Sequence, residues 1–132
     1  MLAGLIDVDL REKGYHLAHD LHLVIEGFLK KRVDYDWELA DSARKKSEQS
    51  RDIGEILQTP ALSIKPAERE ISCLVFYTFK EELEAISHIA EAWCRRCHEE
   101  REVFNNYSVV GIGVAIDPDK KRIYITARLR NI

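Results

Sequence analysis

The chain of 132 residues contains only three cysteines, one methionine and three prolines, and nowhere a long uninterrupted apolar run. An odd, small cysteine count excludes a secreted disulfide framework, and reduced, mostly buried thiols are the expectation. Without a long apolar run there is no segment to span a bilayer. The start, MLAGLIDVDLREKG, is apolar, but Asp7, Asp9 and Glu12 interrupt it and no basic stretch precedes it, so it does not read as a secretory signal. As written the chain reads as cytoplasmic, or as extracellular if it is a mature fragment. Charge of one sign is also missing. Lysine and arginine number 20 against 23 acidic residues, a net charge of -3, which gives no basic field to hold nucleic acid. The short runs Lys30-Lys31-Arg32 and Arg44-Lys45-Lys46 are expected to be solvated faces.

What is present has the length of one domain, residues 1–132, able to bury a core without disulfides or metal. Leu17, Leu21, Val24, Ile25, Phe28 and Leu29 recur at helical spacing and predict a helix over Tyr15 to Leu29, with Gly27 a mild weakness inside it. A second helix is expected from Trp37 to Ser50, with Trp37, Leu39, Ala40 and Ala43 as its apolar stripe. Pro60 and Pro66 place a loop after it. The stretch ISCLVFYTF, Ile71 to Phe79, suits a buried strand or the start of a helix, and its local pattern does not choose. Glu81 to Glu100 returns to helical spacing, with Leu83, Ile86, Ile89, Ala90 and Trp93 inward. YSVVGIGVAID and KRIYITARLR then read as two strands around the turn-rich Asp117-Pro118-Asp119-Lys120-Lys121. Helices first and a β-hairpin last predict an α+β domain with helices packed on an antiparallel sheet.

Cys94-Arg-Arg-Cys97-His98 has the spacing used to attach a c-type haem, which needs both thiols, the histidine and usually a second axial ligand. That second ligand would be His16, His19, His22 or His88, because the only methionine is Met1. Zinc competes, since Cys94 and Cys97 can converge on one ion with His98 or Cys73 completing the set. A third reading makes the two cysteines packed helix residues or a redox-labile pair. His16, His19 and His22 are i,i+3 neighbours that could share a metal with Asp20, although such histidines more commonly line the edge of an amphipathic helix. No Ser-His-Asp or Cys-His-Asn set is recognisable, so no catalytic residue is assigned. Gly111-Ile112-Gly113 lacks the third glycine and following helix of a dinucleotide site, and its glycines instead invite close approach of another backbone.

Three blocks resemble the CAP superfamily of cysteine-rich secretory proteins, antigen 5 and pathogenesis-related proteins. VDYDWELADSARKKSE, Val33 to Glu48, resembles the family's Leu-x-Trp/Tyr-Asp-x-x-Leu-Ala-x-x-Ala-Arg-x-x-Ser helix. GEILQT, Gly54 to Thr59, is similar to its Gly-Glu-Asn motif, with the asparagine replaced or deleted. AEAWCRRCHEEREVFNNYSVVGIGVAID, followed by RIYITARL, resembles its helix ending in tryptophan, a following histidine, and the Gly-Ile/Val-Gly-Val-Ala strand and last strand. The resemblance implies a three-layer α-β-α sandwich and a cleft of two histidines and two glutamates, sometimes with a divalent metal. Only Glu55 and His98 match that cleft. There is no room between Ser47 and Gly54 for the loop bearing the other histidine, and no second glutamate is identifiable. A retained scaffold beside a depleted cleft implies a noncatalytic binding module, without a cofactor, offering a groove to a small apolar ligand, a lipid or a protein partner. The alternative is a protein using Cys94, Cys97 and His98 to hold zinc or covalent haem c, in electron transfer or metal-assisted hydrolysis.

Overall fold

The computed structural model describes residues 2–56, 68–77 and 82–131, with 2–9 and 82–85 described as backbone alone. The loop expected around Pro60 and Pro66 and the inward side chain of Leu83 lie outside the described residues.

Helix α1, Leu2–Leu29, starts well before the expected Tyr15. Its stripe follows the predicted spacing, with Leu17, Leu21 and Ile25 buried and Val24, Phe28 and Leu29 packed at the margin. Lys30 ends it in the left-handed region at φ 54, while Lys31 N–H reaches back to Glu26 O at 3.3 Å. Strand β1, Asp34–Tyr35, follows. Helix α2, Trp37–Ile53, begins where extended Asp36 accepts the Leu39 N–H on Oδ1 at 2.9 Å. It ends at Gly54, φ 80, whose N–H bonds Arg51 O while Glu55 N–H bonds Ser50 O, which satisfies two terminal carbonyls. Strand β2, Glu68–Phe76, settles the open reading of ISCLVFYTF as strand up to Phe76, and the last two residues of that stretch lie outside the described ones. Helix α3, Glu82–Glu99, matches expectation, and a short α4, Arg101–Asn106, follows it. Strands β3, Val109–Asp117, and β4, Arg122–Arg130, form the expected hairpin.

The sheet order is β1-β3-β4-β2. The β2–β4 and β3–β4 pairs are antiparallel, but β1 runs parallel to β3, so the sheet is mixed where a purely antiparallel one was expected. Two residues of β1 carry no readable period, and only the cap at Asp36 hints that chain leaves an extended segment there.

Residue alternation along β3 divides the molecule into layers. Val110, Ile112 and Val114 join Trp93, Cys97, Ile25 and Phe104 in the main core beneath α1 and α3. Gly111 and Gly113 face the other way, where α2 crosses. A Cβ at Gly111 would fall on the Leu39–Ala40 backbone, and one at Gly113 on Ala43–Arg44. Close backbone approach is therefore the reason for both glycines. The result is an α-β-α sandwich with α2 on one face of the sheet and α1 with α3 on the other.

Candidate functional site

The thiol stretch lies entirely within α3. At 3.6 residues per turn, Cys94 and Cys97 are neighbours, and His98 turns about 100° away from Cys97. Cys97 has no exposure and packs in the core with Trp93, whose Nε1–H donates to Leu21 O at 3.2 Å. Cys94 is half-buried outside that core, and His98 is exposed with its ring 4.2 Å from Phe28. These three side chains do not face a common slot that would take two thioether bonds and an axial histidine. Burial pushes the Cys97 thiol far above its ordinary range, the Cys94 and Cys73 thiols add to the rise, and Arg96 partly opposes it. Among the described residues no three His, Cys, Asp or Glu side chains come together as a metal-binding group.

Glu55 and His98 are not brought together either. Glu55 is exposed just beyond α2, beside Gly54, whose carbonyl accepts from Arg122 Nη1 at 3.1 Å. His98 belongs to α3, so the sheet stands between the elements carrying the two residues.

Of the α1 histidines, His16 and His19 are exposed. His22 has a structural task. Its Nε2–H donates to Val33 O at 2.7 Å, while Glu26 Oε2, one turn on, accepts from Val33 N–H at 2.9 Å. The pair grips both polar groups of the residue that enters β1.

Between α2 and the sheet lies a polar lattice that sequence patterning did not reveal. Lys46, only 7% exposed, ion-pairs with buried Glu70 and donates to Ser72 Oγ at 3.2 Å. Glu70 also accepts from Arg128 Nε at 3.1 Å, and Arg128 reaches Ser42. Arg130 pairs with Asp36, the cap of α2. The expectation that Arg44-Lys45-Lys46 is a solvated face is therefore wrong for Lys46. The missed signal was position: Leu39, Ala43, Lys46 and Ser50 fall at i, i+4, i+7 and i+11, on the inward stripe. Ser47, on the adjoining row, donates to Gly113 O at 2.9 Å and shares a hydrogen bond with Thr126 at 2.8 Å. Its proton is committed to a carbonyl, so it is a tie between layers rather than an activated nucleophile.

The outer edge of β3 beyond β1 is covered by side chains. Tyr35 Oη donates to Ile112 O at 3.0 Å and accepts from Ile112 N–H at 3.3 Å, taking the place of a strand neighbour. Burial raises the Tyr35 phenol, the Ile112 hydrogen bond opposes this and Tyr15 adds to it, so the phenol stays a donor at neutral pH. On the Tyr35 ring rests Trp37, edge-on at 5.0 Å and 72°, and Trp37 is 73% exposed. Sequence spacing placed Trp37 on the apolar stripe; two residues before Leu39, it instead sits about 200° round the helix from that buried residue and faces away from the inward row. Tyr15 is half-exposed nearby on α1. A cleft between α1 and α2, lined by Arg11, Tyr15, Arg44 and Val114 among others, gives the centre of a water molecule about 10 Å³ of room. That holds a single water and no lipid chain. Glu48 closes it by taking Arg11 at 3.1 Å and Arg44 at 2.8 Å. No helix among the described residues is long and apolar enough to cross a membrane. No protein-family model matches the chain, and no curated protein sequence matches it.

Proposed function

We propose that this chain is a divergent, noncatalytic CAP-type interaction module that uses the aromatic surface of Tyr15, Tyr35 and Trp37 to bind a protein partner. The observation that carries the reading is Trp37, 73% exposed yet held by a Tyr35 ring that is itself pinned to β3. A rigid exposed tryptophan loses little entropy on docking, and such residues are enriched where partners bind. The glycines under α2 and the layer order support the family resemblance, and the separation of Glu55 from His98 supports a noncatalytic role. Of the three ligand classes implied by the resemblance, the exposed and laterally held Trp37 favours a protein partner.

The test has two arms. Wild type, Glu55→Ala and His98→Ala are assayed on generic ester and peptide substrates, with turnover at the uncatalysed rate expected in all three. Robust hydrolysis lost in either variant would overturn the reading. A photo-cross-linking residue at position 37, introduced in the native host, is expected to yield a discrete protein adduct that the same residue at Asp119 does not. A lipid adduct, or identical products from both positions, would count against a protein partner at this surface.

A further inference from the structure

Cys73 and Cys97 belong to different elements but share one packing environment. Cys73 stands on the face of β2 that carries Ile71 and Val75, and it packs against the hydrophobic cluster that contains Cys97. Cys94, a turn before Cys97, is outside that cluster. Arg96 ties α3 to the strand at this level, its Nε–H donating to Ser72 O at 3.1 Å. The residue after each anchor, Cys97 on the helix and Cys73 on the strand, therefore lies at the same height of one interface. The thiol of Cys73 is also one of the neighbours that push up that of Cys97, as expected of groups within electrostatic range.

We propose that Cys73 and Cys97 form a reversible disulfide, linking α3 to the edge strand β2, when the protein meets a low-molecular-weight disulfide of the glutathione type. Cys73 is the entry point because it is partly exposed while Cys97 is buried; burial raises its thiol, the Arg96 guanidinium beside it partly offsets that rise, and Glu99 adds to it. Its thiolate attacks one sulfur of the reagent, forming a mixed disulfide and expelling one thiolate. Cys97 then loses its proton and attacks Cys73 Sγ, forming the protein disulfide and expelling the second thiolate. Two protein thiols are oxidised by two electrons, the reagent is reduced to two thiols, and the two protons released end on those leaving groups. The link closes the chain between residues 73 and 97, and the oxidised protein melts higher by about 10 °C.

The test uses the full native chain incubated with oxidised glutathione, then trapped with N-ethylmaleimide. Intact mass is expected to show one blocked cysteine and a loss of two hydrogens, and non-reducing peptide mapping to join Cys73 to Cys97. The link should persist in Cys94→Ser and vanish in Cys73→Ser, with folding of both checked by circular dichroism, and dithiothreitol should reverse the rise in melting temperature. A Cys94–Cys97 link, a mixed disulfide confined to Cys94, or three free thiols would each overturn the proposal. None of these outcomes depends on the partner-binding reading.

Discussion

Individual buried polar groups differ in how well they are answered, and that sets what each substitution costs. Glu70 is shared by Lys46 and Arg128 in a site where its own side chain is 6% exposed. Glu70→Gln would leave two cations facing a neutral group, at a cost of about 3 kcal/mol. Lys46→Met still leaves Glu70 paired with Arg128, so it is expected to cost less than half as much. Urea denaturation of the two variants tests the order; equal losses, or a larger loss for Lys46→Met, would mean that Arg128 does not hold Glu70 in solution. Tyr124 presents the opposite case. Its hydroxyl is buried on the α2 side of β4 without a hydrogen-bond partner. Leaving such a group unanswered costs about 1–3 kcal/mol, so Tyr124→Phe should stabilise the fold by about 1 kcal/mol, read as a rise of a few degrees in melting temperature. A loss of stability would show that the hydroxyl has a partner in solution.

Elements meet most tightly where α2 crosses β3, and the glycines there are not exchangeable. Gly113→Ala or Gly111→Ala puts a Cβ into the backbone of α2, an overlap relieved only by moving the helix, and each variant should lose at least about 3 kcal/mol or fail to fold. Gly27→Ala, inside α1 with nothing within 4 Å of the new Cβ, should instead gain about 0.5–1 kcal/mol through helix propensity. Thermal melts of the three separate close approach from mere flexibility. The glycine pair was legible before the fold was known because strand glycines flanking Ile112 have few other uses. The buried face of α1 was equally legible, since a long amphipathic period leaves little choice; on α3 only Ile89 and Trp93 of the expected face are buried, while Ile86 and Ala90 are half-buried outside the core. β2 was not legible, because ISCLVFYTF lacks alternation; only its antiparallel pairing with β4, Cys73 opposite Ile125, makes it a strand. Lys46 and Trp37 were misread for related reasons. A lysine on an inward row looks like surface until Glu70 arrives from a distant strand, and a tryptophan two residues before Leu39 looks like part of its stripe until the helix turns it to the other side. Neither candidate constellation was a safe reading, because spacing along the chain placed Glu55, His98 and the cysteines in order but could not say that a sheet separates the first two or that Cys97 faces inward.

At the scale of the whole molecule, the two sides of the sheet give opposite dependences on pH. On the α2 side, hydrogen bonds and charge from Arg44 and Lys45 hold the Asp41 carboxyl below its ordinary value. The stabilisation from such a group is present above the unfolded pKa and fades as pH falls through the lower folded one, but Asp41 is largely exposed and solvent screens most of it. On the α1 and α3 side, burial raises Cys97 and Cys73, so the folded chain keeps protons that the unfolded chain releases above about pH 8.5. Their contribution is complete below that value and is lost as pH rises towards the raised folded values. Cys97 alone should remove about 1.4 kcal/mol of stability per pH unit above pH 9, the limit for one proton. Urea denaturation under a reducing agent at pH 7.5, 9 and 10 should show this fall, and Cys97→Ala should make it shallower by about one proton. A slope unchanged by Cys97→Ala would mean that the thiol ionises freely in the folded protein, and the core beneath α3 would then be open to water.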